Sequence, residues 1–153
     1  MILDVTAGFR TMWRCKNPPL TVFMDKRAEC KPDVIGVWEH LPFRPVFETI
    51  LFDPSHIVRS GGYDERVRLH RTYGAWGSKR EVLIAFHRAL KEFARVANRL
   101  CFKWCETRDG PTLDQLLPLF RDWRIIHERQ WRTKGSGTVK GNAYWVTFSK
   151  KEG

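Results

Sequence analysis

The sequence predicts an α/β protein: a seven-stranded, mostly parallel sheet with an antiparallel C-terminal strand and helices on both faces. Three observations lead there. Short apolar runs of strand length recur along the chain, several of them closed by Asp, Pro or Gly. One long amphipathic helix sits in the middle of the chain. Two strand-like runs near the end are joined by a Gly-rich basic linker, which fits a hairpin. Strands alternating with helices imply a mostly parallel sheet between helical layers, and the terminal pair completes it.

Ile2-Leu3-Asp4-Val5 forms the first strand and runs into Thr6-Ala7-Gly8, a small-residue turn that lets a ligand approach the backbone. A short helix is expected over 10–16, stopping before Pro18-Pro19. Residues 20–24 read as the second strand, ending at Asp25. An acidic residue about 20 positions beyond a glycine turn is where nucleotide-binding folds hydrogen-bond a ribose. Residues 33–37 are the third strand, followed by Trp38-Glu39-His40-Leu41-Pro42-Phe43. Thr49-Ile50-Leu51-Phe52 is a buried strand that stops at Asp53-Pro54. A carboxylate on this Pro-stiffened loop lies at the rim where open α/β sheets bind ligands. The same residues also fit an ordinary Asp-Pro turn.

Residues 59–77 read as a long polar loop, of the kind that is functional or mobile. It carries Arg59, Arg66, Arg68, His70 and Arg71 around Tyr73-Gly74-Ala75-Trp76, so it can grip phosphates. Ser78 with Glu81 forms a capping box for a helix over 79–98. Val82, Leu83, Phe86, Leu90, Phe93 and Ala97 line its apolar face. Residues 100–104 are the next strand, with Glu106 at its end. A short helix over 112–120 ends early or kinks at Pro118. Strands over 123–130 and 143–148 finish the chain, linked through Lys134-Gly135-Ser136-Gly137.

A chain of 153 residues is expected to form one domain, 1–153, with a substantial core. Its 42% hydrophobic content is that of a globular protein. No apolar run approaches the roughly 18 residues of a membrane span. The first strand leaves no room for a signal peptide, so a cytoplasmic protein is expected. A net charge of +10 favours a polyanionic partner, most often nucleic acid, although it also suits a merely soluble basic protein. Cys15, Cys30, Cys101 and Cys105 match no zinc spacing; buried reduced thiols and no bound metal are expected.

Taken together, several segments resemble a known family. They are Ile2-Leu3-Asp4-Val5-Thr6-Ala7-Gly8, Val22-Phe23-Met24-Asp25-Lys26-Arg27, Pro32-Asp33-Val34-Ile35-Gly36, Leu41-Pro42-Phe43, Ile50-Leu51-Phe52-Asp53-Pro54-Ser55-His56 and Phe102-Lys103-Trp104-Cys105-Glu106. In order and spacing they resemble the Rossmann-like class I S-adenosylmethionine-dependent methyltransferases. The likeness is greatest to the small stand-alone phage and archaeal type that carries Asp-Pro-Pro-His at the active strand, and it covers nearly the whole chain.

That resemblance implies an enzyme with S-adenosyl-L-methionine as cofactor. Asp4, Thr6, Ala7 and Gly8 would face its methionine part. Asp25, with Lys26 beside it, would hold the ribose. Val37, Trp38 and Glu39 would border the adenine. Asp53, Pro54, Ser55 and His56 would hold the acceptor, with Asp53 also facing the cofactor, and Arg59, Arg66, Arg71, Tyr73 and Trp76 would contact the substrate. Three positions depart from the family's pattern. Ser55 stands where a second Pro is expected, leaving the loop less rigid; Val37 replaces an acidic residue; and Phe9-Arg10 follow a turn with a single Gly.

The chemistry suits an exocyclic amine of a nucleic-acid base, adenine N6 above all. Its lone pair is delocalised into the ring, so a carboxylate and a carbonyl must draw the nitrogen toward tetrahedral geometry. His56 can stack on a flipped base or carry the proton away. Two other readings stay open: a nucleic-acid-binding module with a decayed cofactor site, and a methyltransferase acting on a protein or small molecule. Target recognition would come from the 59–77 loop, the 134–140 hairpin, a homodimer or a partner.

Overall fold

Seven strands form one sheet in the order β3-β2-β1-β4-β5-β7-β6. They are β1 (Ile2–Asp4), β2 (Thr21–Asp25), β3 (Val34–Ile35), β4 (Phe47–Phe52), β5 (Ala97–Cys105), β6 (Trp123–Arg132) and β7 (Asn142–Lys150). The computed structural model describes residues 1–59, 64–132 and 141–152. Strands β1 to β5 pair in parallel, while β7 lies antiparallel between β5 and β6. This is the expected sheet, with every expected strand in its place. The linker at 134–137 lies outside the described residues.

The helices are α1 (Arg68–Tyr73), α2 (Lys79–Val96) and α3 (Leu113–Leu116), the last continued by a 3-10 turn. Helix α2 starts where the sequence places it but ends at Val96, and Ala97, expected on its apolar face, takes an extended conformation and opens β5 instead. The Ser78 side chain accepts from Glu81 N, and the Glu81 carboxylate reaches back to Gly77 N at 2.9 Å. Thr112 and Gln115 make a complete capping box at α3, and Pro118 turns its continuation into the 3-10 turn.

Two expectations about local structure need correction. No helix forms over 10–16. Gly8 and Arg10 take positive φ angles of 49° and 55°, which interrupt any helical run. The Arg10 guanidinium then binds the carbonyls of Lys16 and Lys31 and lies 4.1 Å over the Phe23 ring. The stretch over 59–77 is not all loop either. It contains α1, anchored by buried His70, whose Nδ1 accepts from Asp64 N at 3.0 Å. His70 is thus buried under α1, apart from the exposed arginines of the same stretch.

The core lies mainly on one face of the sheet. Phe52 and Phe102, paired across β4 and β5, stack at 5.7 Å. Phe86 and Phe93 of α2 meet Phe52 at 5.1 and 5.0 Å, and Phe86 also meets Trp104. Phe120, just beyond the 3-10 turn, stacks on Phe148 of β7 at 4.5 Å. On the opposite face, Trp13 covers β1 and β2, edge-on to Phe23 at 5.4 Å. Among the described residues no helix is long and apolar enough to cross a membrane. Cys15 is exposed, contrary to the expectation of buried thiols, because it lies in the non-helical segment after β1; Cys30 and Cys105 are buried.

Phe52 is fully buried and touches four other rings, so truncating it leaves a large cavity. Phe52→Ala is expected to cost about 4 kcal/mol and to lower the thermal midpoint by roughly 10 °C, read by circular dichroism. A shift of a degree or two would show that this cluster is not the centre of the core.

Candidate active site

The strand order reverses at β1: β2 and β3 lie to one side of it, β4 and β5 to the other. The backbones diverge there, and a crevice opens at the carboxyl ends of the strands. Three of those ends carry carboxylates: Asp4 on β1, Asp25 on β2 and Asp53 just after β4.

The turn after β1 is pinned on both sides. Val5 N donates to Leu51 O, and Ala7 N to Met24 O. Thr6 N donates to Asp4 Oδ1 at 3.0 Å, while Thr6 Oγ1 accepts from Asp53 N at 2.8 Å. Gly8 N donates to Asp25 Oδ2 at 2.8 Å. The positive φ of Gly8 favours glycine here; a Cβ would meet the Arg27 guanidinium only in ordinary contact, at 3.4 Å.

Asp4 is 1% exposed. Its second oxygen accepts from Trp13 Nε1 at 2.7 Å. Burial pushes its carboxyl up to about 6, against the hydrogen bonds from Trp13 and Thr6 and with some help from the charges of Asp53 and Asp25. Relative to an ordinary 3.8, the raised value means that the protonated form favours folding. That stability is complete below 3.8 and is lost as pH rises through about 6. Ionised at pH 7, Asp4 costs the fold about 3 kcal/mol.

Asp25 behaves oppositely. Burial works against its charge, but hydrogen bonds from Arg27 and Gly8 outweigh burial and hold it below the usual carboxylate range. Oδ1 accepts from Arg27 N and Nε, and Oδ2 from Gly8 N and Arg27 Nη2. Arg27 Nη1 also donates to the carbonyls of Arg71 and Thr72, tying α1 to the end of β2. Lys26 is exposed beside it.

Asp53 Oδ2 is held by Lys103 Nζ of β5 at 2.8 Å, and Oδ1 has no partner among the described residues. Pro54 is buried. Ser55 does not leave the loop slack. Its hydroxyl donates to Gly74 O at 2.7 Å and accepts from Ile57 N, while its carbonyl accepts from Trp76 Nε1 at 2.7 Å. Hydrogen bonds to 74–76 thus take over the stiffening that a second proline ring would supply. His56 is held below its usual value, first by burial and then by nearby Lys103, with Asp53 opposing. It is neutral at pH 7 and can accept a proton.

The remaining expected contacts are scattered. Val37 is exposed and Glu39 half-buried, neither with a side-chain hydrogen bond among the described residues. Trp38 packs onto Phe52, Trp76 and Phe86 and belongs largely to the core. Arg59, Arg66, Arg71 and Tyr73 are exposed around α1, with Arg66 paired to Asp64 at 3.1 Å. Lys103 escaped the sequence reading. Its signal was a lone cation in the apolar run Leu100-Cys101-Phe102-Lys103-Trp104. Among the described residues no cluster could hold a metal ion.

No family model matches the sequence, and no curated protein does. Solved structures do match. The N-methyltransferase NodS from Bradyrhizobium japonicum, in complex with S-adenosyl-l-homocysteine, aligns with a TM-score of 0.61 at 8% identity, over 99% of this chain and 76% of that one. A putative RNA methyltransferase from Pyrococcus horikoshii aligns at 0.59 and 9% identity, over 97% of this chain and 73% of that one. An rRNA methylase from Streptococcus thermophilus aligns at 0.52 and 9% identity, over 99% and 87%. At such identities the likeness is one of fold. The chain has the class I methyltransferase fold.

The raised value at Asp4 can be read directly. Carbon-13 titration of the side-chain carboxyls is expected to place its midpoint at about 6. Trp13→Phe removes a hydrogen bond that favours the carboxylate and is expected to raise it further. A midpoint near 3.8 would contradict the burial described here.

Proposed function

We propose that this protein is an S-adenosyl-L-methionine-dependent methyltransferase that methylates an exocyclic amino nitrogen of a nucleic-acid base, adenine N6 in particular. The observation that carries the proposal is the convergence of Asp4, Asp25 and Asp53 at the crevice beside β1. Asp25 and Asp53 are matched by Arg27 and Lys103, but Asp4 is buried beside them with no cation of its own among the described residues, so its ionised form raises the energy of the empty protein. A cationic ligand offsets that cost, and a ligand with vicinal hydroxyls suits a strand-end carboxylate such as Asp25. S-adenosylmethionine is both, so the residues fit it. Arg27 already fills the remaining lone pairs of Asp25, and the ribose hydroxyls compete with its guanidinium there.

When bound, the cofactor supplies an electrophilic methyl on a sulfonium. Asp4 and the turn through Thr6, Ala7 and Gly8 would border its methionine part, with Asp25 and Lys26 at the ribose and Val37 and Trp38 toward the adenine. At the acceptor, Asp53 Oδ1 and the Pro54 carbonyl can each accept a hydrogen bond from the amine. That turns its lone pair out of the ring's conjugation. Lys103 holds Oδ2 and keeps the carboxylate from rotating. Ser55 fixes the loop through Gly74 and Trp76. Neutral His56 is placed to take up the proton that the nitrogen sheds. The nucleic-acid acceptor is supported by the net charge of +10, and by two fold neighbours described as RNA- or rRNA-methylating. Arg59, Arg66, Arg71, Tyr73 and Trp76 are its proposed contacts.

The test is transfer of labelled methyl from S-adenosylmethionine to DNA and RNA, with nucleoside analysis of the product. Label in N6-methyladenosine or its deoxy counterpart is expected. Asp53→Ala should lower the rate at least about a hundredfold when measured at saturating cofactor. Retained cofactor binding with no label in any nucleic acid would overturn the acceptor assignment.

A further inference from the structure

The site described above uses the carboxyl edge of the sheet, and one face of the same sheet carries, besides Lys103, residues with no role in it. Side chains alternate across a strand, so the pairing register places Lys103 of β5, Trp145 of β7 and Arg129 of β6 in one row on one face. Asp53 stands at the near end of that row, held by Lys103 at 2.8 Å. The Lys103 ammonium lies 5.9 Å from the Trp145 ring centroid. Two further rows follow on the same face, one containing His127 and the next Arg99 and Arg124.

The reverse side of these strands is filled by Phe102, Val146 and Phe148, buried against Phe86 and Phe120. On the face in question, Arg99, Arg124, His127 and Arg129 are exposed, and Lys103 and Trp145 are half-buried. The nearby acids are already matched, Asp53 to Lys103 and Glu48 to Arg99 at 3.4 Å. Those pairs neutralise Lys103 and Arg99, while Arg124 and Arg129 have no acid partner among the described residues, so the face keeps a net positive charge beside the Trp145 indole and runs on to Asp53. Apart from the Trp145 indole, the side chains paired along these rows are mostly polar or charged, a poor match for the apolar stripe of a partner helix. A polyanion with flat, unpaired rings matches both its charge and its indole. A duplex keeps its rings stacked inside and has nothing to offer Trp145.

We propose that this face of β5, β7 and β6 is the track for a single-stranded polynucleotide. One base stacks on Trp145, phosphates lie on Arg129, Arg124 and Arg99, and the strand leads toward Asp53. The proposal deepens the nucleic-acid reading above and rests on it for the acceptor's identity, but its own test is independent of methyl transfer. Arg124 and Arg129 lie on an exposed edge strand, so replacing them leaves the core untouched.

The experiment is fluorescence anisotropy of the full chain with short labelled single-stranded DNA, single-stranded RNA and duplex probes over a range of salt. Calorimetry with S-adenosylmethionine runs alongside. The double variant Arg124→Glu/Arg129→Glu is expected to weaken single-strand binding at least about tenfold and to reduce the salt slope by about two. Trp145→Ala should weaken it with the slope unchanged, and Trp145→Phe should restore most of the loss. Cofactor affinity should not move in any variant. The better of the DNA and RNA probes identifies the strand's source. Four outcomes overturn the proposal: no nucleic-acid binding by the wild type, variants that bind like it, a duplex bound as tightly as a single strand, or a dimer that the charge-reversed variant dissociates. Failure of the wild type to bind the cofactor would sink the methyltransferase reading while leaving these anisotropy outcomes decisive.

Discussion

The hydrogen bonds that pin the turn after β1 fix the strand-end carboxylates relative to one another. Thr6 N to Asp4, Asp53 N to Thr6 Oγ1 and Gly8 N to Asp25 run in sequence across β1, β4 and β2. Each carboxylate or hydroxyl serves a backbone group of the neighbouring segment, so the turn cannot move without unpairing one of them. The carboxylates are thus held close despite their mutual repulsion. Groups poised against their own solvation tend to mark functional sites, and Asp4, nearly fully buried with its carboxyl pushed up to about 6, is the strongest instance here.

Beneath that edge, the aromatic core does its packing on one side of the sheet. Phe52, Phe86, Phe93, Phe102 and Trp104 form a continuous cluster, extended by Phe120 and Phe148. Because those contacts bury one face of β4, β5 and β7 well, the other face can carry Lys103, Arg99 and Trp145 without leaving the core short of apolar area. Lys103 links the two regions: its stem crosses the polar face, and its ammonium reaches the Asp53 carboxylate.

Much of this was legible in the residues. The strands could be read because the apolar runs are short and several are closed by a residue that stops pairing, as Phe52 is by Asp53-Pro54. Helix α2 could be read from its period and from Ser78 with Glu81. The turn over 10–16 was not legible, since what holds it is distant: Arg10 binds the carbonyl of Lys31, and Trp13 reaches back to Asp4. Local propensity carries no trace of such contacts. The structural role of His70 and the pinning of Ser55 by Gly74 and Trp76 likewise depend on how α1 docks. Lys103 stayed hidden because the register between β4 and β5 is what brings it to Asp53, and register is a property of two strands.

The account stands or falls on whether the crevice beside β1 holds S-adenosylmethionine through Asp25. Calorimetric titration of the folded protein with S-adenosylmethionine and S-adenosylhomocysteine, beside an Asp25→Ala variant checked for folding by circular dichroism, addresses that directly. Micromolar or tighter binding by the wild type, lost or weakened at least about tenfold in the folded variant, is the predicted result. No binding to the folded wild type, or equal binding by both proteins, would contradict the site as built here.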